Sequence, residues 1–232
     1  MDTLAPELLL AMTGIGAFFR MEKKKGYELY LASKKIVTHH LEQRSRMPIV
    51  GLAMGSASRL QPGIHALNSI NIEHGTENDG SFFALDKCLS SRTLQILQTL
   101  IILMAMATWA DVPAVHDALA MGSQLAMLTR ELGLSQPDEI IGRCSWVDWI
   151  HREQRRRTLF VSYIFLNLTS ITFDVPPLLV NNEIRLSLPH CNTEWVKLSA
   201  AEWQHTRETC GHTERHFQSI LSETMAGRDV SP

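Results

Sequence analysis

A dense run of charge, Arg152, Glu153, Arg155, Arg156 and Arg157, lies inside the stretch SWVDWIHREQRRRTLF. Guanidinium groups gathered this closely are suited to gripping phosphates, and basic runs also serve as localisation signals. On a helix, however, the four arginines point in different directions and form no single patch. Glu153 and Arg157 stand four residues apart, acid first, the spacing at which an acid and a base pair on one helix face. The reading favoured is therefore structural. Arg157 turns inward onto Glu153, and the other arginines are solvated or bonded to loop carboxylates such as Glu183.

Two other groupings invite chemistry. Cys191, Cys210, His212 and His216 have the atoms of a zinc site. Cys210 and His212 are too close together for a familiar finger, the gap from Cys191 is long, and a structural site needs four converging ligands. No metal site is expected. Ten histidines, including the pair His39–His40, raise the question of catalysis. The chain has no nucleophile elbow, no Gly-rich phosphate loop and no zinc-protease motif, so no catalytic or cofactor-binding residue is assigned.

The charged run must be held by a helix, and the start signals are present. Ser145 is placed to cap it, with Asp148 three residues on. Trp146, Trp149 and Ile150 share a face, and Phe160, Ile164, Leu168 and Ile171 continue the stripe. Residues 159–173 are apolar on every side, which predicts a helix buried all round at the centre of the fold. Pro176–Pro177 cannot continue it, and residues 180–189 read as an ordered loop.

The other elements are also helical. The spacing predicts helices over residues 5–20, 27–46, 93–109 and 113–132, with Gly133 as a C-terminal stop. Residues 21–26 are basic and end in Gly26, a plausible break. Residues 136–144 read as a linker, and residues 193–225 as mostly helical but polar. Residues 47–91 hold no period and are rich in Gly, Ser and Asn, which predicts a partly disordered insertion with one short helix near 82–89. No strand is predicted. The domain reading is a helical pair over 1–46, the insertion over 47–91, a helical core over 92–225 and a disordered tail over 226–232. The fold class is all-α: a multi-helix bundle of stacked helical hairpins around a long buried central helix.

Composition bounds the function. The chain has 232 residues, enough to bury a core without disulfides, and 45% are hydrophobic. A formal net charge of -2 argues against a uniformly basic nucleic-acid binder. Four isolated cysteines, Cys88, Cys144, Cys191 and Cys210, form no disulfide framework, so a reducing compartment is the expectation. The longest apolar run, residues 94–110, is shorter than a bilayer span of about 20 residues and reads as a buried helix.

The segment EQRRRTLFVSYIFLNLTSITFDVPPLLVNNEIRLSLP resembles the signature of the fungal-specific transcription factor domain, also called the middle homology region. That signature has an acid and two or three arginines, an aromatic-rich helix, a proline turn, an Asn/Asp–x–Glu/Asp–Ile step and a final Leu-Pro. In this chain they are Glu153 with Arg155, Arg156 and Arg157, then Phe160 to Phe173, Pro176 and Pro177, Asn181 to Ile184 with Glu183, and Leu188 with Pro189. The stretches GAFFRMEKKKGYELYLASKKI and QTLIILMAMATWADVPAVHDALAM resemble the version attached to Cys2His2 zinc-finger factors. The resemblance implies an all-α regulatory domain of a nuclear transcription regulator, shuttling with the cytoplasm included. It implies zinc only in upstream fingers, which this chain lacks, so no cofactor is expected here and DNA is reached only through a missing domain. A fragment, or a finger-less form, is the expectation. The implied partners are proteins, as a homodimer or with a full-length factor, with room for a small-molecule effector and none for a membrane. One alternative is a stand-alone helical interaction protein that modulates a full-length factor. Another is a helical enzyme of secondary metabolism.

Overall fold

The structure is a computed structural model, and it describes residues 4–46, 79–108, 112–138, 144–210 and 214–228. Eight α-helices lie among them: α1 (Pro6–Phe19), α2 (Lys23–Arg46), α3 (Asp79–Thr108), α4 (Val112–Glu131), α5 (Trp146–Phe173), α6 (Asn192–Trp195), α7 (Ala200–Cys210) and α8 (Phe217–Met225). A single 3-10 turn spans Asn181–Glu183. The all-α class holds. Among the described residues the only β-type pairing is one isolated antiparallel bridge, Ser187 to His216.

The helix that others gather around is α3. It packs against α1, α2, α4 and α5, and Leu97, Leu100, Leu103, Met104 and Ala107 are sealed inside. By length and composition Ser90–Thr108 could cross a bilayer, yet here its apolar surface is taken up by neighbouring helices. The helix starts at Asp79, so the short helix expected near 82–89 is the first part of α3. Residues 47–78 of the expected insertion, and 229–232 of the expected tail, lie outside the described residues.

Helix α5 begins as its sequence predicts: the backbone N–H of Asp148 donates to Ser145 Oγ at 3.1 Å. It ends at Asp174, which adopts a left-handed conformation (φ 52°) and caps the helix through its N–H to Ser170 O. The expectation that residues 159–173 are buried all round is corrected. Leu159, Phe160, Phe165 and Leu166 face the core, but Val161, Ile164, Leu168 and Ile171 are exposed, Ile171 to 80%. The helix packs on one side only, so the central helix is α3.

A second correction concerns the first hairpin. Gly26 does not break the chain; it lies inside α2. A Cβ there would come within 2.8 Å of Phe18 Cδ2, so the bare Cα is where the Phe18 ring rests and the two helices close. The reversal comes earlier, at Met21 (φ 63°). Gly133, by contrast, is the stop its sequence predicts. It sits at φ 94°, with its own N–H bonded to Arg130 O at 3.0 Å and that of Leu134 to Thr129 O at 3.3 Å, a Schellman closure.

After α5 the chain turns back. Twenty residues of helix separate Phe173 from Glu153, about 30 Å, and residues 174–190 run back along that length as a strap. Leu179, Ile184 and Leu186 plug into the core. Arg130 of α4 grips the strap through Glu183 (2.5 and 2.9 Å) and Leu178 O (2.7 Å). On its other edge, Leu188 N donates to Arg215 O and Phe217 N to Leu186 O. Gln218 Nε2 donates to Asn181 O and Ile184 O.

Candidate functional site: a buried ion cluster on α5

Glu153, Arg156 and Arg157 occupy positions i, i+3 and i+4 of α5 and so share a face. Glu153 and Arg156 are each only 1% exposed. The Glu153–Arg157 pair expected from spacing is present, with Arg157 Nε donating to Glu153 Oε1 at 2.7 Å. The same oxygen accepts from the His190 backbone N–H at 2.9 Å. Oε2 lies 3.0 Å from His190 Nδ1 and 3.6 Å from Arg156 Nη1. Arg157 Nη2 donates to His190 O at 2.6 Å. Two residues of one helix thus clamp the backbone of His190 from both its N–H and its C=O.

Arg156 takes a loop carboxylate, one of the two outcomes expected for it. It is not solvated, and its loop carboxylate is not Glu183. Its Nε donates to Asp138 Oδ2 at 2.6 Å, while Asp138 Oδ1 accepts from Ser187 N at 2.9 Å. Asp138 therefore bridges α5 to the strap, and both groups are buried. Glu214, on the segment leading into α8, lies 3.6 Å from Arg156 Nη2 and 3.7 Å from His190 Nε2. Four segments meet here: the loop after α4, α5, the end of the strap and the start of the last segment. Sequence reasoning missed Asp138, His190 and Glu214. The available signal was physical: an arginine one helical turn from Glu153 on the same face needs a buried counter-charge, and Asp138 is an acid in the loop that leads to α5.

Burial alone would push the Glu153 carboxyl up. The hydrogen bond and charge of His190, the hydrogen bond from Arg157 and the charge of Arg156 outweigh it and hold the group below its ordinary range. His190 Nδ1 lies within 3.0 Å of both Glu153 Oε2 and Arg156 Nη1. It can donate to the first or accept from the second, but not both, so its proton decides which partner it serves.

Aromatic rings wall the cluster. Trp149 meets His190 edge-on at 5.5 Å and tilts against Trp203 at 5.4 Å and Trp195 at 6.3 Å. The Arg157 guanidinium lies 4.9 Å from the Trp195 ring centre, and that of Arg207 lies 5.0 Å from the Trp203 ring. The remaining signature residues are spread along the strap. Pro176, Pro177 and Asn181 are exposed, and Glu183 belongs to Arg130 of α4. Arg155 is half-buried, with Nη1 against the Gly133 turn, and burial lowers its guanidinium below the ordinary value.

The model of the family described as fungal specific transcription factor domain matches residues 2–227. The chain belongs to that family. No curated protein and no solved structure matches it. Membership makes this a regulatory domain of the fungal transcription-factor type, at work in transcription regulation, with the nucleus as the compartment the family suggests. The family belongs to transcription factors rather than to enzymes. The acid-arginine signature of this fungal transcription factor domain is, in structural terms, the root of the strap. No group of three or more His, Cys, Asp or Glu side chains able to hold a metal occurs among the described residues. Cys191 is exposed beside Thr193 and Glu194, and His216 Nδ1 lies 3.4 Å from Ser187 Oγ. The Cys210 side chain and His212 lie outside the described residues.

Proposed function

We propose that this domain relays a regulatory signal within a fungal transcription factor through protein contacts, while sequence is read on DNA by another domain. The observation that carries this reading is the fate of the signature arginines. Arg156 is sealed in the interior, and Arg157 is bonded to Glu153 and His190 O. Arg156 is shut away from solvent and Arg157 turns two donors inward, so neither is laid out as a surface phosphate contact, and contact with phosphate supplies most of the affinity in non-specific DNA binding. The strap and the last segment converge on one ion cluster. A partner or small-molecule effector that disturbed either would be felt at the other, and shuttling with the cytoplasm suits such a signal-fed module.

The test is a tethered reporter. The chain, fused to an unrelated DNA-binding domain in a fungal cell, is expected to change reporter output relative to that domain alone. Glu153→Ala is expected to abolish the change. Reporter output identical with and without the chain would count against the reading.

A second reading, self-association, rests on the outward stripe of α5. Val161, Ile164, Leu168 and Ile171 are exposed at i, i+3, i+7 and i+10, the spacing of a two-helix seam. No charged residue lies between Thr158 and Phe173 to oppose a second copy. Light scattering is expected to show a concentration-dependent dimer that Leu168→Glu dissolves. A monomer at every concentration would remove this reading.

A further inference from the structure

We infer that the corner joining α1 to α2 is a docking point for an acidic, amphipathic peptide segment of a protein partner. Phe19 is 85% exposed and Met21 81% exposed, two large apolar side chains standing in solvent one residue apart. Around them are four cations, Arg20, Lys23, Lys24 and Lys25, all exposed. Glu22, among them, is shared between Arg20 at 3.5 Å and Lys25 at 2.9 Å, and Glu28 also acts on Lys25. The corner is a basic spot on a chain whose formal net charge is -2.

The backbone makes the independent case. Glu22 N–H bonds Ala17 O at 2.9 Å and Met21 N–H bonds Phe18 O at 3.0 Å, which is the Schellman closure of α1 with Met21 at the left-handed position. Glycine is the residue that sits there without strain, because a Cβ crowds the following carbonyl. This same fold uses glycine at the equivalent place after α4, at Gly133, and a short polar residue after α5, at Asp174, a residue type that also visits that conformation. At the end of α1 it keeps a methionine, strained in its backbone and burying almost nothing. An exposed methionine is well suited to gripping varied apolar side chains of a partner. The corner is also held firmly, since the Phe18 ring rests on Gly26.

The chemistry selects the partner. Phosphate binding to nucleic acid uses cations and has no need of an exposed Phe–x–Met pair. Clusters that seek anionic lipid run to 4–8 Lys or Arg immediately beside a membrane segment or on an amphipathic helix; this corner has four, the lower end of that range, and two of them share Glu22. Alternating acids and apolar residues, as in amphipathic activation segments, match both features at once. The surface lies apart from the ion cluster, so this inference does not depend on the relay reading.

The test is fluorescence anisotropy of a labelled peptide of about twenty residues that alternates Asp or Glu with Leu or Phe, titrated with the full chain. Saturable binding is expected, lost when the peptide's acids become amides. Phe19→Ser, and the double change Lys23→Gln with Lys24→Gln, are each expected to weaken it at least tenfold at unchanged melting temperature. Met21→Gly separates the roles: it is expected to raise the melting temperature while weakening the peptide at least fivefold. Failure of the parent chain to bind, equal binding by Met21→Gly, or sedimentation with phosphatidylserine vesicles without peptide binding would each overturn the assignment.

Discussion

Glu153 is the residue on which most of the cluster depends. It accepts from Arg157 and the His190 backbone, and it faces Arg156 and the His190 ring. Glu153→Ala leaves two buried or half-buried guanidiniums without their shared acid, and removing one partner of a buried pair destabilises by about 3–5 kcal/mol. A melting temperature equal to the parent's would contradict the pairing. The pH response follows in sign. The folded chain holds the Glu153 carboxyl below its ordinary value of 4.5, so the folded state binds its proton less readily than the unfolded one. The stabilisation is complete above the ordinary value and is lost as pH falls through the folded value. Thermal melts between about pH 6 and pH 3 are expected to decline less steeply for Glu153→Gln than for the parent. Glu183 shifts the same way through its bond to Arg130, but that pair is partly exposed and contributes little. At this scale the Glu153–Arg157 pair was legible, because helical spacing is local information. The role of Arg156 was not, since Asp138 lies 18 residues away and His190 lies 34 residues away in sequence.

The α1–α2 hairpin depends on one missing methyl group. Gly26→Ala brings a Cβ to 2.8 Å from the Phe18 ring and 3.2 Å from Gly14 O. Overpacking of this kind destabilises by about 1–3 kcal/mol, offset by up to about 1 kcal/mol of helix propensity. A net loss of stability is expected in denaturant titration; a gain would mean the ring moves aside freely. The strap responds differently. Its bond to Arg130 is partly exposed, so Arg130→Ala is expected to remove no more than about 1 kcal/mol. Amide exchange over residues 178–184 is nevertheless expected to speed up, and unchanged protection there would show that Leu179 and Ile184 hold the strap unaided. Helix existence was readable from apolar period and caps, as at Ser145 and Gly133. Helix environment was not. Residues 159–173 carry no charge, and an uncharged outer face reads the same as a buried one. Gly26 misled for a related reason: a glycine chosen for close packing and a glycine chosen for a turn are the same letter.

The whole molecule is a set of helices around α3, with α5, its returning strap and the last segment fastened together at one ion cluster. Its fold class and its family were legible in the sequence, the first from periodicity and the second from the acid-arginine, proline and Leu-Pro signature. What the cluster fastens was not, because it is made by residues from four separate segments. The central claim is that the signature arginines act inside the domain. Arg156→Met tests it most directly, with thermal stability and affinity for mixed-sequence duplex DNA measured on the same samples at physiological salt. The expected result is a markedly lower melting temperature with no change in DNA affinity. A variant that melts like the parent but binds duplex DNA more weakly would contradict the claim and return Arg156 to the surface as a phosphate contact.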